Sequence, residues 1–495
     1  MFKAFESNQK IPTKVFALEE PKIRSDLLEA QHLLKEKAIP VLVIISGVDG
    51  AGKGEVLQKL TEWLDPRGID THAFYGLSDE EKERPEHWQY WRRLPSKGRI
   101  AFFLGSWYTA PIIQRVYKNF TKKQFVKNLN QIRSLEKLLT DDGMLIIKLW
   151  YHLSRRNQEK RLNKLSSNPR TQWRVTETDW KHFKLYDRFY QISERALAAT
   201  HSDSAPWYVI EATDKRYREL TTGKILLQSI LKQVDSVKGQ AKNNEVKLEH
   251  TADTHSNHKA FEAVDLTYSL DEKKYSIQLK KYREKLGHLM WKANDIGISN
   301  VVVFEGWDAA GKGSAIRRIV QAVDPRLYSI VPIAGPTSEE LAHHYLWRFW
   351  RHLPRKGRMT LFDRSWYGRV LVERIEGFAR PDEWQRAYQE INDFEEQLVS
   401  SGILLTKFWL HISKDEQLRR FKEREKVLFK RYKITEEDWR NRHKWQQYET
   451  AINDMIRYTS TVVAPWTVVA SNDKRYARVT ILKTLVQKLK SVVAI

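Results

Sequence analysis

The stretch GWDAAGKGS, from Gly306 to Ser314, holds two glycines and a lysine at the spacing G-x4-G-K. Gly306 and Gly311 permit a turn whose successive backbone N–H groups point at one anion. A helix starting there aims the positive end of its dipole at the same place. Lys312 adds a charge that reaches phosphates held in the turn. The next position is Gly313, where the usual pattern supplies a Ser or Thr hydroxyl to Mg²⁺. Asp308, inside the loop, offers an oxygen instead, as a metal ligand or as a contact to an acceptor phosphate. These residues predict phosphate binding.

A second carboxylate stands in TLFDRSWY, where Asp363 closes an apolar run. Ligands of open α/β sheets sit at the carboxyl ends of strands. A carboxylate there can hold Mg²⁺ directly or through water, and Arg364 beside it can neutralise phosphate charge in a transition state. HLPRKGRM (His352–Met359) is a basic turn just before that run. The segment from Asp415 to Trp439 is denser, with Arg419, Arg420, Lys422, Arg424, Lys426, Lys430, Arg431 and Lys433. A solvated helix would pair such charges with Glu423 and Glu425; a lid over phosphates would turn them on the anion.

Such a loop needs a strand before it and a helix after it. ISNVVVFEG (Ile298–Gly306) reads as a buried parallel strand, and so does IPVLVIISG (Ile39–Gly47) ahead of a second loop, GVDGAGKGE. GRMTLFDRSWY, ILLTKFWLHI, and the segments APWTVVASNDK and APWYVIEATDK read as further strands. Helical stretches such as Asp382–Gly402 alternate with them. This alternation predicts an α/β fold with helices on both faces of a mainly parallel sheet.

The two loops belong to a repeat. Lys53 and Lys312 lie 259 positions apart, as do Leu94-Pro95 and Leu353-Pro354, Ser106 and Ser365, Lys148 and Lys407, and Trp180 and Trp439. DKRY at Asp214–Tyr217 recurs at the same offset. The chain is therefore a duplicated domain: residues 1–235, a polar linker over 236–262, and residues 263–495. His250, His255 and His258 in the linker read as solvated side chains rather than metal ligands.

The copies differ where chemistry is expected. Leu104-Gly105 stands for Asp363-Arg364, Gln89 for Arg348 and Gln114 for Glu373. Leu165, Ser167, Thr171 and Gln172 stand for Arg424, Lys426, Lys430 and Arg431. The aromatic scaffold persists: Trp88 with Trp347, Trp91 with Trp350, Trp107 with Trp366. The second half reads as catalytic and the first as degenerate and inactive; whether the first still binds a ligand through Asp49 and Lys53 is left open by the residues.

A net charge of +23 over 495 residues points to a polyanionic partner. The lack of cysteine excludes disulfides and thiolate chemistry and fits a reducing compartment. No run approaches the roughly 18 apolar residues of a membrane helix, so a soluble, cytoplasmic protein with no membrane partner is expected.

FEGWDAAGKG, YLWRFWRHLP, LFDRSWYGRVLVERIEG and FKRYKITEEDW resemble the polyphosphate kinase 2 family, and the tandem arrangement resembles its two-domain members. That resemblance implies two thymidylate-kinase-like P-loop domains, each with a helical lid. It implies Mg²⁺ as cofactor, with Mn²⁺ possible, and transfer of the terminal phosphoryl group of inorganic polyphosphate to AMP, giving ADP. It assigns Asp308, Lys312, Asp363 and Arg364 to catalysis, Asp363 and Asp308 also to the metal. Gly306, Gly311, Gly313, Arg348, Arg369, Glu373, Arg374, Arg420, Arg424, Lys426, Lys430 and Arg431 fall to phosphate and nucleotide binding. It further implies a homo-oligomer that reads no specific nucleic acid. An ATP-dependent nucleotide kinase and a non-catalytic nucleic-acid-binding protein are the alternatives.

Overall fold

The structure, a computed structural model, describes residues 1–242, 264–426 and 434–493. The linker histidines and Lys430, Arg431 and Lys433 lie outside the described residues. The chain divides into two compact units. The first draws on residues 1–77, 89–250 and 338–344, and the second on 78–88, 251–337 and 345–495.

The first unit holds β1 (Val41–Gly47), β2 (Ile69–Ala73), β3 (Ile100–Leu104), β4 (Leu145–His152) and β5 (Trp207–Glu211). They form one sheet in the order β2-β3-β1-β4-β5, every neighbour parallel. The second unit repeats this with β6 (Ser299–Gly306), β7 (Tyr328–Pro332), β8 (Met359–Asp363), β9 (Ile403–His411) and β10 (Trp466–Ala470), ordered β10-β9-β6-β8-β7. The central strands are mainly apolar because helices cover both faces, with Lys148, Lys407 and Glu305 as buried exceptions. Val301, Val302, Val303 and Phe304 are all buried, as are Val41 to Ile45. The edge strands β2 and β7 are half-exposed and mixed in composition, so no apolar run marked them in the sequence.

A buried polar network beneath the sheet accounts for the shared Ser-Trp-Tyr. Lys407 Nζ donates to Glu395 Oε2 at 2.7 Å, to the Tyr367 hydroxyl at 2.8 Å and to the Thr459 carbonyl at 2.8 Å. The Trp366 indole and the Tyr367 hydroxyl both donate to Glu395 Oε1. In the first unit Lys148, Glu136, Tyr108, Trp107 and the Thr200 carbonyl repeat every bond. Burial raises the Glu395 carboxyl and lowers the Lys407 ammonium, and each partner draws the other back. A charge this deep is tolerable only when its donors and acceptors are met. Trp366 and Tyr367 are thus fixed by the core, whatever the chemistry of the neighbouring residues.

Candidate active site

The site of the second unit forms where β6 and β8 end. At Gly306 (φ +150°) an added Cβ would lie 2.6 Å from the Leu410 carbonyl oxygen, so glycine is required for the approach of β9. Gly311 is left-handed at φ +113° and caps the helix Lys312–Val320. A Cβ at Gly311 or Gly313 would meet nothing within 4 Å. Lys312 Nζ turns back to the loop and donates to the Gly306 carbonyl at 2.6 Å.

Asp363 ends β8 in register with Phe304 of β6. Arg364 follows with φ +65°, a left-handed conformation that residues other than glycine rarely take. Its amide donates to the Phe304 carbonyl at 3.0 Å. From this turn the guanidinium reaches Asp308 Oδ1 at 3.5 Å and Glu437 Oε1 at 3.8 Å. Burial opposes its charge, but Asp308, Glu437, Glu305 and Asp363 together outweigh that and hold Arg364 above its ordinary range.

Glu305 and Glu437 were not singled out in the sequence. Glu305 is buried and accepts from the Ser365 hydroxyl at 2.8 Å. Burial raises its carboxyl, against the pull of Lys312 and Arg364. Asp308 is held from two sides, Asn441 Nδ2 donating to its carboxylate at 2.9 Å and Gln417 Nε2 to its carbonyl at 3.2 Å. Glu305, Gly306, Asp308, Lys312, Arg364, Glu437 and Asn441 border one cavity of about 70 Å³. The signal for the two missed acids was in the repeat: Glu305 is matched by Ser46 and Glu437 by Thr178.

The other expected binding residues separate into groups. Arg369 pairs with Glu373 at 3.2 Å and lies over the Tyr345 ring at 4.4 Å. Burial raises the Glu373 carboxyl, while the charges of Arg369 and Arg348 draw it down. Arg424 and Lys426 sit in the last turn of the helix Lys414–Lys426.

Two arginines expected on the binding surface are instead committed to the scaffold. Arg420, 2% exposed, donates to the carbonyls of Ala309, Ala310, Ser471 and Asn472 and to Glu416. It braces the loop from behind by meeting those four carbonyls. Arg374 donates to Asp454 at 2.8 Å and Tyr388 at 3.0 Å and stacks over Trp384.

The donor chemistry suits a hard cation. Among the described residues no group of three or more His, Cys, Asp or Glu could hold a metal by itself. Mg²⁺ does not need one: it takes one or two carboxylates and completes its shell with water and substrate phosphates. Asp363 and Asp308 are carboxylates of that kind beside the phosphate loop.

The Polyphosphate kinase 2 (PPK2) family model matches residues 13–238 and again 269–494. The chain belongs to the polyphosphate kinase 2 family. It is 49% identical to a Polyphosphate:AMP phosphotransferase of Pseudomonas aeruginosa PAO1, covering 98% of each chain. It is 45% identical to the Polyphosphate:AMP phosphotransferase of Pseudomonas syringae pv. tomato, covering 100% of this chain and 99% of the relative. A polyphosphate kinase 2 crystal structure from Pseudomonas aeruginosa PA01 superposes with a TM-score of 0.89 at 46% identity, covering 99% of both chains. Two tandem polyphosphate kinase 2 domains with a P-loop kinase-like α/β fold follow from these matches. Among the described residues no helix is long and apolar enough to cross a membrane.

Proposed function

We propose that this protein is a polyphosphate:AMP phosphotransferase that moves the terminal phosphoryl group of inorganic polyphosphate to AMP. The observation that carries the reading is the likeness, over nearly the whole chain, to two relatives of that name. It favours polyphosphate over ATP as donor and an enzyme over a nucleic-acid-binding protein. The net charge of +23 agrees with a polyanionic donor.

The second half carries the reaction. Backbone N–H groups of the loop 306–311 and Lys312 hold the phosphates of the donor. A phosphate oxygen of AMP attacks the terminal phosphorus in line. The bond from that phosphorus to its bridging oxygen breaks, and polyphosphate leaves one unit shorter. Arg364 offsets the charge on the moving group, and Asp308 sets the orientation of Arg364. Asp363, with Asp308, would hold Mg²⁺, which would supply positive charge against the phosphates. No general base is required, since the AMP phosphate is largely ionised at neutral pH and phosphoryl transfer depends on positioning and electrostatics. Arg348, Arg369, Glu373, Arg424 and Lys426 form the outer binding surface, and Arg374 and Arg420 support it. The enzyme works in the cytoplasm as a homo-oligomer.

The test is to incubate the protein with Mg²⁺, AMP and polyphosphate, and separately with Mg²⁺, AMP and ATP, and to measure ADP. ADP with polyphosphate is expected; ADP formed only with ATP overturns the reading.

A further inference from the structure

The first unit lacks the counterparts of Asp363, Arg364, Glu305 and Glu437 but keeps the loop with Asp49 and Lys53. Gly47 and Gly52 are left-handed or near it, at φ +137° and +79°, and Lys53 Nζ donates to the carbonyls of Gly47 and Val48. Beside this loop lies a cavity of about 940 Å³, against about 70 Å³ in the second unit. One local difference accompanies it: in the second unit Trp307 and Trp445 stack at 3.7 Å, 5° from parallel. Val48 and Tyr186 stand in their places.

The same exchange strands a polar atom. The Trp307 indole donates to His411 Nδ1 at 3.2 Å. The matching His152 has no indole to meet it. It is 1% exposed, its Nε2 pairs with Glu6 at 2.9 Å, and its Nδ1 has no partner among the described residues. Trp150 Nε1 and Ser193 Oγ are likewise buried and unpartnered, and all three residues line the cavity. Trp150 and His152 are matched by Trp409 and His411, but Ser193 is matched by Ile452 and the partner of the His411 Nδ1, Trp307, is matched by Val48, so the open Nδ1 and the hydroxyl are particular to the first half. Buried donors and acceptors are almost always met in folded proteins. A cavity of several hundred cubic ångströms, with aromatic walls and a few convergent polar groups, is the usual form of a small-molecule site.

We propose that the first unit is a second, non-catalytic site that binds a nucleoside monophosphate. The phosphate sits on the loop 47–53 with Lys53. The base enters the cavity against Trp150 and Tyr190, its polar edge meeting His152 Nδ1 and Ser193 Oγ. Polyphosphate suits this cavity poorly. Leu165 replaces the cation Arg424, Leu104-Gly105 replaces Asp363-Arg364, and the walls are largely apolar.

The test is photolabelling of the full chain with 8-azido-AMP, without polyphosphate, followed by peptide mapping. Label that excess AMP prevents is expected on first-half peptides containing Trp150 to Ser193. In Lys53→Ala and in Ser193→Trp that label should drop at least tenfold, while label in the second half persists. The second variant guards against loss of either one through misfolding, and the persisting label reports that the chain is folded. Absence of AMP-preventable label in the first half overturns the proposal. So does first-half label that tripolyphosphate prevents and AMP does not, or label unchanged in both variants. None of these results bears on phosphoryl transfer by the second half.

Discussion

Arg364 and Asp308 approach to 3.5 Å, and Arg364 makes that approach from a left-handed backbone at φ +65°. The matching residue in the first unit is Gly105, at φ +78°. The turn therefore has the same shape in both sheets, and only the half with a guanidinium to place accepts the strain. Residues held in this region cost about 1–3 kcal/mol and persist where the surroundings fix them.

Replacing Arg364 by glycine should separate stability from activity. Relief of strain and the greater chain entropy of glycine nearly offset, so stability should stay within about 1 kcal/mol of wild type. Phosphoryl transfer should fall by about 10³-fold. Urea unfolding and an ADP assay on the same preparation check both. An active Arg364→Gly protein would remove Arg364 from the mechanism.

Asp363→Asn should cost at least about 10²-fold in rate, because the replacement keeps the shape and loses the charge that a hard cation needs. Leu104→Asp, the reciprocal change in the first half, should alter the rate by less than about twofold, since Gly105 and Ser46 leave the added acid without its neighbours. Rates measured across Mg²⁺ concentrations check the pair. Full activity in Asp363→Asn would place catalysis elsewhere.

Lys407→Met should destabilise the second unit by roughly 3–5 kcal/mol, since Glu395 would be left buried without its counter-charge. Lys148→Met should do the same to the first unit through Glu136. Denaturant unfolding of both variants checks this, and near-wild-type midpoints would show that the networks contribute little.

Burial lowers His411 from 6.5 to about 4, and its Nδ1 accepts from Trp307 only while the ring is neutral. The folded state therefore binds fewer protons than the unfolded state between these values. Its contribution is complete above pH 6.5 and is lost as pH falls toward 4, by up to about 3 kcal/mol. Unfolding free energies at pH 7 and pH 5 should differ more in wild type than in His411→Asn. Equal differences would mean that another group carries the acid sensitivity.

The repeat made the residues expected at the second site legible before any geometry. Asp363 and Arg364 stood out by the contrast between halves, and Asp308 and Lys312, matched by Asp49 and Lys53, by motif spacing alone. Glu305 escaped because a charged residue at the end of an apolar strand looks like the strand's exposed terminus. Only the hydrogen bond from the Ser365 hydroxyl shows it turned inward. Arg420 misled for the opposite reason. It sits in a dense run of cations, and composition does not distinguish a side chain facing solvent from one aimed at four carbonyls behind a loop. The edge strands β2 and β7 were silent because half-exposed strands need no apolar run. The Trp-to-Val and Trp-to-Tyr differences at the cavity of the first unit lie far apart in the chain and have meaning only once Trp307 and Trp445 are seen to touch.

The glycine at position 105 also bears on any exchange between the halves. Arginine placed on that left-handed turn would take up the strain at once, while Leu104, Ser46 and Thr178 supply no carboxylate and Asp49 is already paired with His182 and Lys53. A single substitution therefore gains nothing until several are present together, and the residues of one half form a set that does not transfer piecemeal to the other.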